Sequence, residues 1–212
     1  MAECERACVL ALLWALWGTF RSLLIWPLVS TALRRLMGQL AGCYRLLYNS
    51  LAAVTLIPVL ALHFLWRSEW VVNWSGAWLA VPIAIDAAGL SLMYLGARSY
   101  KLNDFMGFKA ARAAWRNGTV PLQEPFSAGG VLRYIRHPWY AATLCLLWGH
   151  DLDACGLAAS LVLTIYVLIG TWLEERKLTA QFGEAYLKYR RDVPAFVPWA
   201  LLCRRRHCKE CD

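Results

Sequence analysis

Five apolar stretches constrain what this chain can fold into. They run from about Cys8 to Ser30, Leu46 to Trp66, Gly76 to Ala97, Pro138 to Gly149, and Gly156 to Leu173. At ~1.5 Å per helical residue, the first three can each cross a hydrocarbon core of ~30 Å. The fourth is too short to cross unaided, so it and the fifth are read as a tight helical hairpin, tilted or only partly spanning. Composition agrees: 59% of residues are hydrophobic, 17% are charged, and 12 are Trp. These features predict an all-α, polytopic membrane protein with about five transmembrane segments, the last two a hairpin, followed by a C-terminal amphipathic helix. The first stretch is read as a retained helix and not a cleaved signal, because its start is not strongly basic and Arg21 interrupts it.

The net charge of +8 invites a nucleic-acid partner, but its distribution argues against one. The basic residues lie beside apolar stretches, where they meet lipid headgroups and set topology. Counted around the five stretches, Lys and Arg number 1, 3, 1, 7, 0 and 9. That alternation predicts a multi-pass protein with a cytoplasmic C-terminus, and puts the turn before Pro138 on the same side as Glu174 and Glu175. Residues 1–199 are read as a single integral membrane domain and 200–212 as a basic tail. Cys203, His207, Cys208 and Cys211 in that tail lack a second spaced pair, so no metal site is expected there.

Two polar stretches accompany the apolar ones. Residues 98–130 mix basic and aromatic side chains and suggest an interfacial helix and a loop. Residues 174–193 predict an amphipathic helix, with Leu178, Phe182, Tyr186, Tyr189 and Val193 recurring every three or four positions and Pro194 and Pro198 ending it. Arg21, His63 and Asp86 interrupt the first three apolar stretches. Each either lines a cavity or serves packing, and packing is preferred because nothing in the sequence ties them to the later polar groups.

Those later groups form the candidate site. Ionisable residues near lipid are costly, and here they concentrate at one depth. His137 offers a base or ligand, Tyr140 a hydrogen bond, Glu174 and Glu175 a place for an ammonium, and Arg133 and Arg136 a place for a carboxylate or phosphate. A zwitterionic amino-acid moiety suits this mixture. The other reading is that ordinary interfacial charges cap two membrane helices. No G-x-G pair occurs, so a dinucleotide-binding fingerprint is absent.

Four motifs follow one another at plausible spacing: Arg136-His137-Pro138-x-Tyr140, Glu174-Glu175-x-x-Leu178, Phe182-Gly183-x-x-Tyr186-x-x-Tyr189, and Val193-Pro194-x-Phe196-x-Pro198. Together they resemble the superfamily of small integral membrane methyltransferases that includes isoprenylcysteine carboxyl methyltransferases and phospholipid methyltransferases. Thr164 to Gly170 and Asn103-Asp104-Phe105-x-Gly107 are most similar to its NnrU-like branch, which contains methanethiol S-methyltransferases. The likeness covers about residues 98–199, the methyltransferase-like catalytic core. It implies S-adenosylmethionine as cofactor, with His137, Tyr140 and one or both of Glu174 and Glu175 holding its methionine part. It further implies that Tyr186 and Tyr189 enclose the adenosine and that Arg136 and His137 are catalytic. The implied acceptor is a small thiol or a lipophilic molecule arriving from the membrane, and membrane lipids are expected partners. Ala142 departs from the family pattern, which usually has Gly there. A sterol-type membrane reductase using NADPH shares the His-Pro-x-Tyr turn, and a non-catalytic membrane scaffold is a third reading; retention of adenosylmethionine, NADPH or neither separates the three.

Overall fold

The computed structural model describes residues 2–99, 107–117 and 128–197. The Asn103-Asp104-Phe105 run, Pro121, Pro125, Pro198 and the Cys-containing tail lie outside the described residues. Helix dominates, and the chain is an all-α polytopic membrane protein. Four helical stretches are long and apolar enough to cross a membrane: Glu3–Ile25, Pro27–Leu65, Gly76–Ser99 and Ala154–Phe182. The fourth apolar stretch is helical only over Pro138–Trp148, 11 residues, in keeping with its expected shortness. The chain divides into two compact units, each assembled from separated segments.

The first unit contains α1 (Glu3–Ile25), α2 (Pro27–Met37), a 3-10 turn (Gly38–Cys43), α3 (Tyr44–Leu65), strand β1 (Trp70–Val72) and α5 (Phe108–Asn117). It also holds strand β2 (Leu152–Asp153) and the start of α7 (Ala154–Phe182), as far as Tyr166. The break between α1 and α2 follows from Pro27, which holds Trp26 extended and then serves as the first residue of the next helix. Leu10, Trp14, Val59, Cys155 and Ala159 form the buried core. Several polar groups around it are tied locally, although the Trp14 indole nitrogen is buried without a hydrogen-bond partner among the described residues. The Trp17 indole donates to the Ala52 carbonyl at 3.1 Å, linking α1 to α3. Arg21 and Ser22 reach the Tyr166 hydroxyl at 3.4 and 3.2 Å. Arg21 therefore has a packing partner, and so does His63, whose ring meets Trp14 edge-on at 6.3 Å.

Asp153 shows how the polar turn before α7 is held. Its carboxylate accepts from Gly156 N–H at 2.6 Å and from Ser68 N–H at 2.9 Å, while β2 pairs antiparallel with β1. It thus satisfies a free N–H in the first turn of α7 and ties down the β1 side of the turn. Asp153→Ala is expected to lower stability by about 1–3 kcal/mol, from the lost cap and the buried donors left behind. Thermal denaturation of the purified protein checks this.

The second unit contains α4 (Ala80–Ser99), a 3-10 turn (Gly130–Arg133), α6 (Pro138–Trp148), α7 from Val167 onward, α8 (Glu184–Asp192) and the chain to Val197. Helices α4 and α6 pack closely because α4 carries glycine where the two meet. A Cβ at Gly89 would press on Cys145 and the Ala142 carbonyl, and one at Gly96 would strike the Trp139 indole. That indole also donates to the Met93 carbonyl at 3.3 Å. Ala142 is fully buried at this packing surface. Asp86 lies against Gly149, so this third intramembrane polar group also sits at a packing surface.

The C-terminal helix differs from the sequence reading. Instead of one helix over 174–193, residues up to Phe182 extend α7 to 29 residues, roughly 43 Å, longer than a hydrocarbon core. Gly183 then takes φ 54°, a left-handed conformation that glycine adopts without steric cost, and α8 begins at Glu184. Glu174 and Glu175 consequently lie inside a helix and not at its start. The hydrophobic spacing carried no sign of the break, because Leu178 and Phe182 continue in phase with Tyr186.

Candidate active site

The site is built within the second unit, where the turn before α6 meets α7, α8 and the segment after α8. Arg136 N–H donates to the Pro194 carbonyl at 2.9 Å and His137 N–H to the Ala195 carbonyl at 3.0 Å. These two backbone bonds clamp the Arg-His pair against Val193-Pro194-x-Phe196, explaining in physical terms why the two motifs occur together. Pro138 opens α6, and the His137 side chain makes no capping hydrogen bond to it. Its ring turns elsewhere.

It turns to Glu175. The Arg136 guanidinium donates to Glu175 Oε1 through Nε at 2.9 Å and through Nη2 at 2.5 Å. Its Nη1 donates to the Arg190 carbonyl at 2.8 Å and to the Val193 carbonyl. His137 Nε2 lies 3.3 Å from the same carboxylate oxygen, and Arg190 Nε lies 3.2 Å from Glu175 Oε2. Both oxygens of a nearly buried carboxylate are therefore occupied by cations. Charge-assisted bonds of this kind are strong, and they fix four elements to one point.

Glu174 behaves differently. Its side chain is 43% exposed, with one oxygen 3.9 Å from His137 Nδ1. The two neighbouring carboxylates thus have separate duties: Glu175 organises the cluster, and Glu174 stands at its rim.

Aromatic side chains complete the surroundings. Tyr140 stacks on the His137 ring at 5.5 Å and an interplanar angle of 11°, and Phe196 meets the same ring at 6.3 Å. Tyr189 donates to the Leu132 carbonyl at 2.6 Å and packs against Tyr186, their rings 5.9 Å apart. Burial, and next the Glu175 carboxylate, push the Tyr186 phenol up to about 12, so it is a neutral hydroxyl at ordinary pH. All the site residues expected from the sequence therefore lie in this unit, and among the described residues all but Arg133 make contacts within or beside the cluster. Arg133 is exposed on the preceding 3-10 turn. Among the described residues, no group of three or more His, Cys, Asp or Glu is placed to hold a metal.

Arg190, which the sequence did not single out, joins the cluster, and Thr179 lies near Glu175 along α7. In the sequence Arg190 enters only as one of the nine Lys and Arg after Leu173; its position four residues after Tyr186 was the available signal. Thr179 lies one helical turn beyond Glu175, with its hydroxyl oxygen buried and without a hydrogen-bond partner among the described residues. A buried unpartnered hydroxyl is uncommon enough to require an explanation.

Comparison with known proteins finds several relatives that are named methyltransferases. The chain is 31% identical over 168 residues to methanethiol S-methyltransferase 2 of Bradyrhizobium diazoefficiens, covering 78% of this chain and 63% of that protein. It is 31% identical over 160 residues to the methanethiol S-methyltransferase of Mycobacterium tuberculosis, covering 72% and 62%. A third methanethiol S-methyltransferase, from a Pseudomonas species, matches at 31% over 145 residues, covering 66% and 55%. This chain is a relative of the methanethiol S-methyltransferases. It spans between 55% and 63% of the length of these three methanethiol S-methyltransferases. No family model matches the chain, and no solved structure does. Relatives named methyltransferases do not favour the reductase reading.

Proposed function

We propose that this protein is a membrane methyltransferase that uses S-adenosylmethionine and delivers the methyl group to a small thiol or a lipophilic acceptor of isoprenylcysteine or phospholipid type. The observation that carries this reading is the buried Arg136–Glu175 pair, joined by half-exposed Arg190, with His137 against it and Glu174 exposed at its rim, in a chain whose relatives are named methanethiol S-methyltransferases. The donor set fits the methionine part of the cofactor. Glu174 offers a carboxylate to the ammonium, half-exposed Arg190 a guanidinium to the carboxylate, and Thr179 an unpartnered hydroxyl. Tyr140 and the Tyr186–Tyr189 pair supply aromatic surface for the remainder.

When bound, S-adenosylmethionine supplies a methyl carbon on a sulfonium, already a good leaving system. The chain's own residues then mainly bind, orient and exclude water. Glu175 holds Arg136 and His137 in place through their bonds to Oε1. A thiol acceptor must also lose a proton, and in this reading His137 takes it, with Glu175 to orient the ring and stabilise the charge it gains. The basic count supports a cytoplasmic orientation of this end of the chain, with sixteen of 22 Lys and Arg in residues 98–136 or after Leu173.

The test is transfer of labelled methyl from S-adenosylmethionine by the purified protein, with methanethiol and a farnesylated cysteine as separate acceptors. Labelled product with either one supports the reading, and product with neither, together with NADPH oxidation, would replace it. Within that assay Glu174→Gln is expected to weaken adenosylmethionine binding by about 1.5–3 kcal/mol, the range for a hydrogen bond to a charged group. Because Glu174 lies outside the ion-pair cluster, the melting temperature without ligand should stay close to that of the parent.

A further inference from the structure

The amphipathic helices of the first unit carry a surface that the proposed chemistry does not use. The stretch Pro27–Leu65 has 39 residues, and at ~1.5 Å each it is about twice as long as a hydrocarbon core is thick. α3 alone, 22 residues, suffices to cross. α2 and the 3-10 turn after it are left over between the end of α1 and the start of α3, so two flanking helices that cross the bilayer would leave them at headgroup depth. α5, only 10 residues long, packs on that same 3-10 turn.

Both leftover helices are basic and apolar together. Arg34 and Arg35 on α2, and Arg112 and Arg116 on α5, are exposed. Beside them are exposed large apolar side chains, Leu36 at 83% and Trp115 at 81%. No Asp or Glu occurs from Arg6 to Ser68 or from Gly107 to Asn117. Among the described residues none of these four Arg forms an ion pair; Arg34 lies over the Tyr44 ring at 5.3 Å. Four uncompensated cations among exposed apolar side chains, on helices too short to span, make an interfacial surface. Its charge complement is a phosphate diester held at the membrane surface.

We propose that α2 and α5 form a platform for the headgroups of anionic phospholipids in the leaflet where they lie, so that the protein selects acidic lipids from its surroundings. Leu36 and Trp115 enter the acyl boundary while Arg34, Arg35, Arg112 and Arg116 meet the phosphates. Such a platform is independent of the enzymatic reading.

The full chain, reconstituted in phosphatidylcholine bilayers containing phosphatidylglycerol and then extracted in mild detergent, tests it through the lipids that copurify, measured by mass spectrometry. The parent is expected to retain phosphatidylglycerol above its share of the bilayer. Each Arg→Gln change among the four should weaken that preference by about fivefold at low salt, and less as salt is raised. Arg6→Gln, at the opposite end of α1, should leave it unchanged. If Arg34→Gln/Arg35→Gln does not fold, Arg112→Gln/Arg116→Gln on the separate helix α5 gives the same reading. Equal retention of the two lipids by the parent would overturn the proposal, as would unchanged retention in the variants or an equal loss on Arg6→Gln. Displacement of the lipid by millimolar inorganic phosphate or by polyglutamate would mean a general anion-binding or protein-docking face, and would overturn it too.

Discussion

Glu175→Ala is expected to destabilise the protein by about 3–5 kcal/mol, the loss seen when one partner of a buried ion pair is removed. The reason is what stays behind. Arg136 would keep its bonds to the Arg190 and Val193 carbonyls but lose the anion that receives two of its N–H groups. Arg190 and His137 would lose the same partner. Since the loop at Arg136-His137 is also bound by backbone to Pro194 and Ala195, loosening it should release the 193–197 segment together with the turn. Thermal or denaturant unfolding in detergent checks the stability loss, and hydrogen exchange of the Arg136 and His137 amides checks its location. A variant as stable as the parent would show that the cluster is an incidental contact.

His137→Ala should act mainly on function. Its backbone N–H bond to Ala195 survives the substitution, and so does Pro138 as the first residue of α6. What disappears is the ring between Glu175 and Tyr140. Methyl transfer is expected to fall by about 10²-fold or more, the scale for a lost acid–base group, while the chain still folds. Loss of the buried ring lowers the melting temperature somewhat, so activity must be compared per folded molecule. If His137 were only a packing residue, the melting temperature would fall and the per-molecule rate would not.

The membrane-spanning segments were readable because apolar length is set by the bilayer and needs no tertiary information. The break at Gly183 was not, because a glycine in an in-phase amphipathic pattern can either continue a helix or end one; its positive φ decides. Similarly, the sequence put Arg136, His137 and the two Glu on one side as separate contacts for a zwitterion, whereas the direct pairing of Arg136 and His137 with Glu175, and the division of labour between Glu174 and Glu175, depend on which side of α7 each faces. Neighbouring residues on a helix point ~100° apart, so two identical carboxylates in sequence can meet entirely different surroundings. Asp153 likewise gave no sequence signal for its bond to Ser68, since its partner is far away in the chain.

Adenosylmethionine binding is the most direct test, measured by calorimetry on the detergent-purified parent and on His137→Ala, with NADPH titrated into the same preparations. The expected result is saturable adenosylmethionine binding to the parent, ligand-induced stabilisation that grows with the ratio of ligand to Kd, and a clear reduction of both in the variant. A parent that binds NADPH and not adenosylmethionine would contradict the methyltransferase reading. A His137→Ala protein that melts earlier yet gains as much stability from adenosylmethionine as the parent does would contradict the placement of His137 in the site.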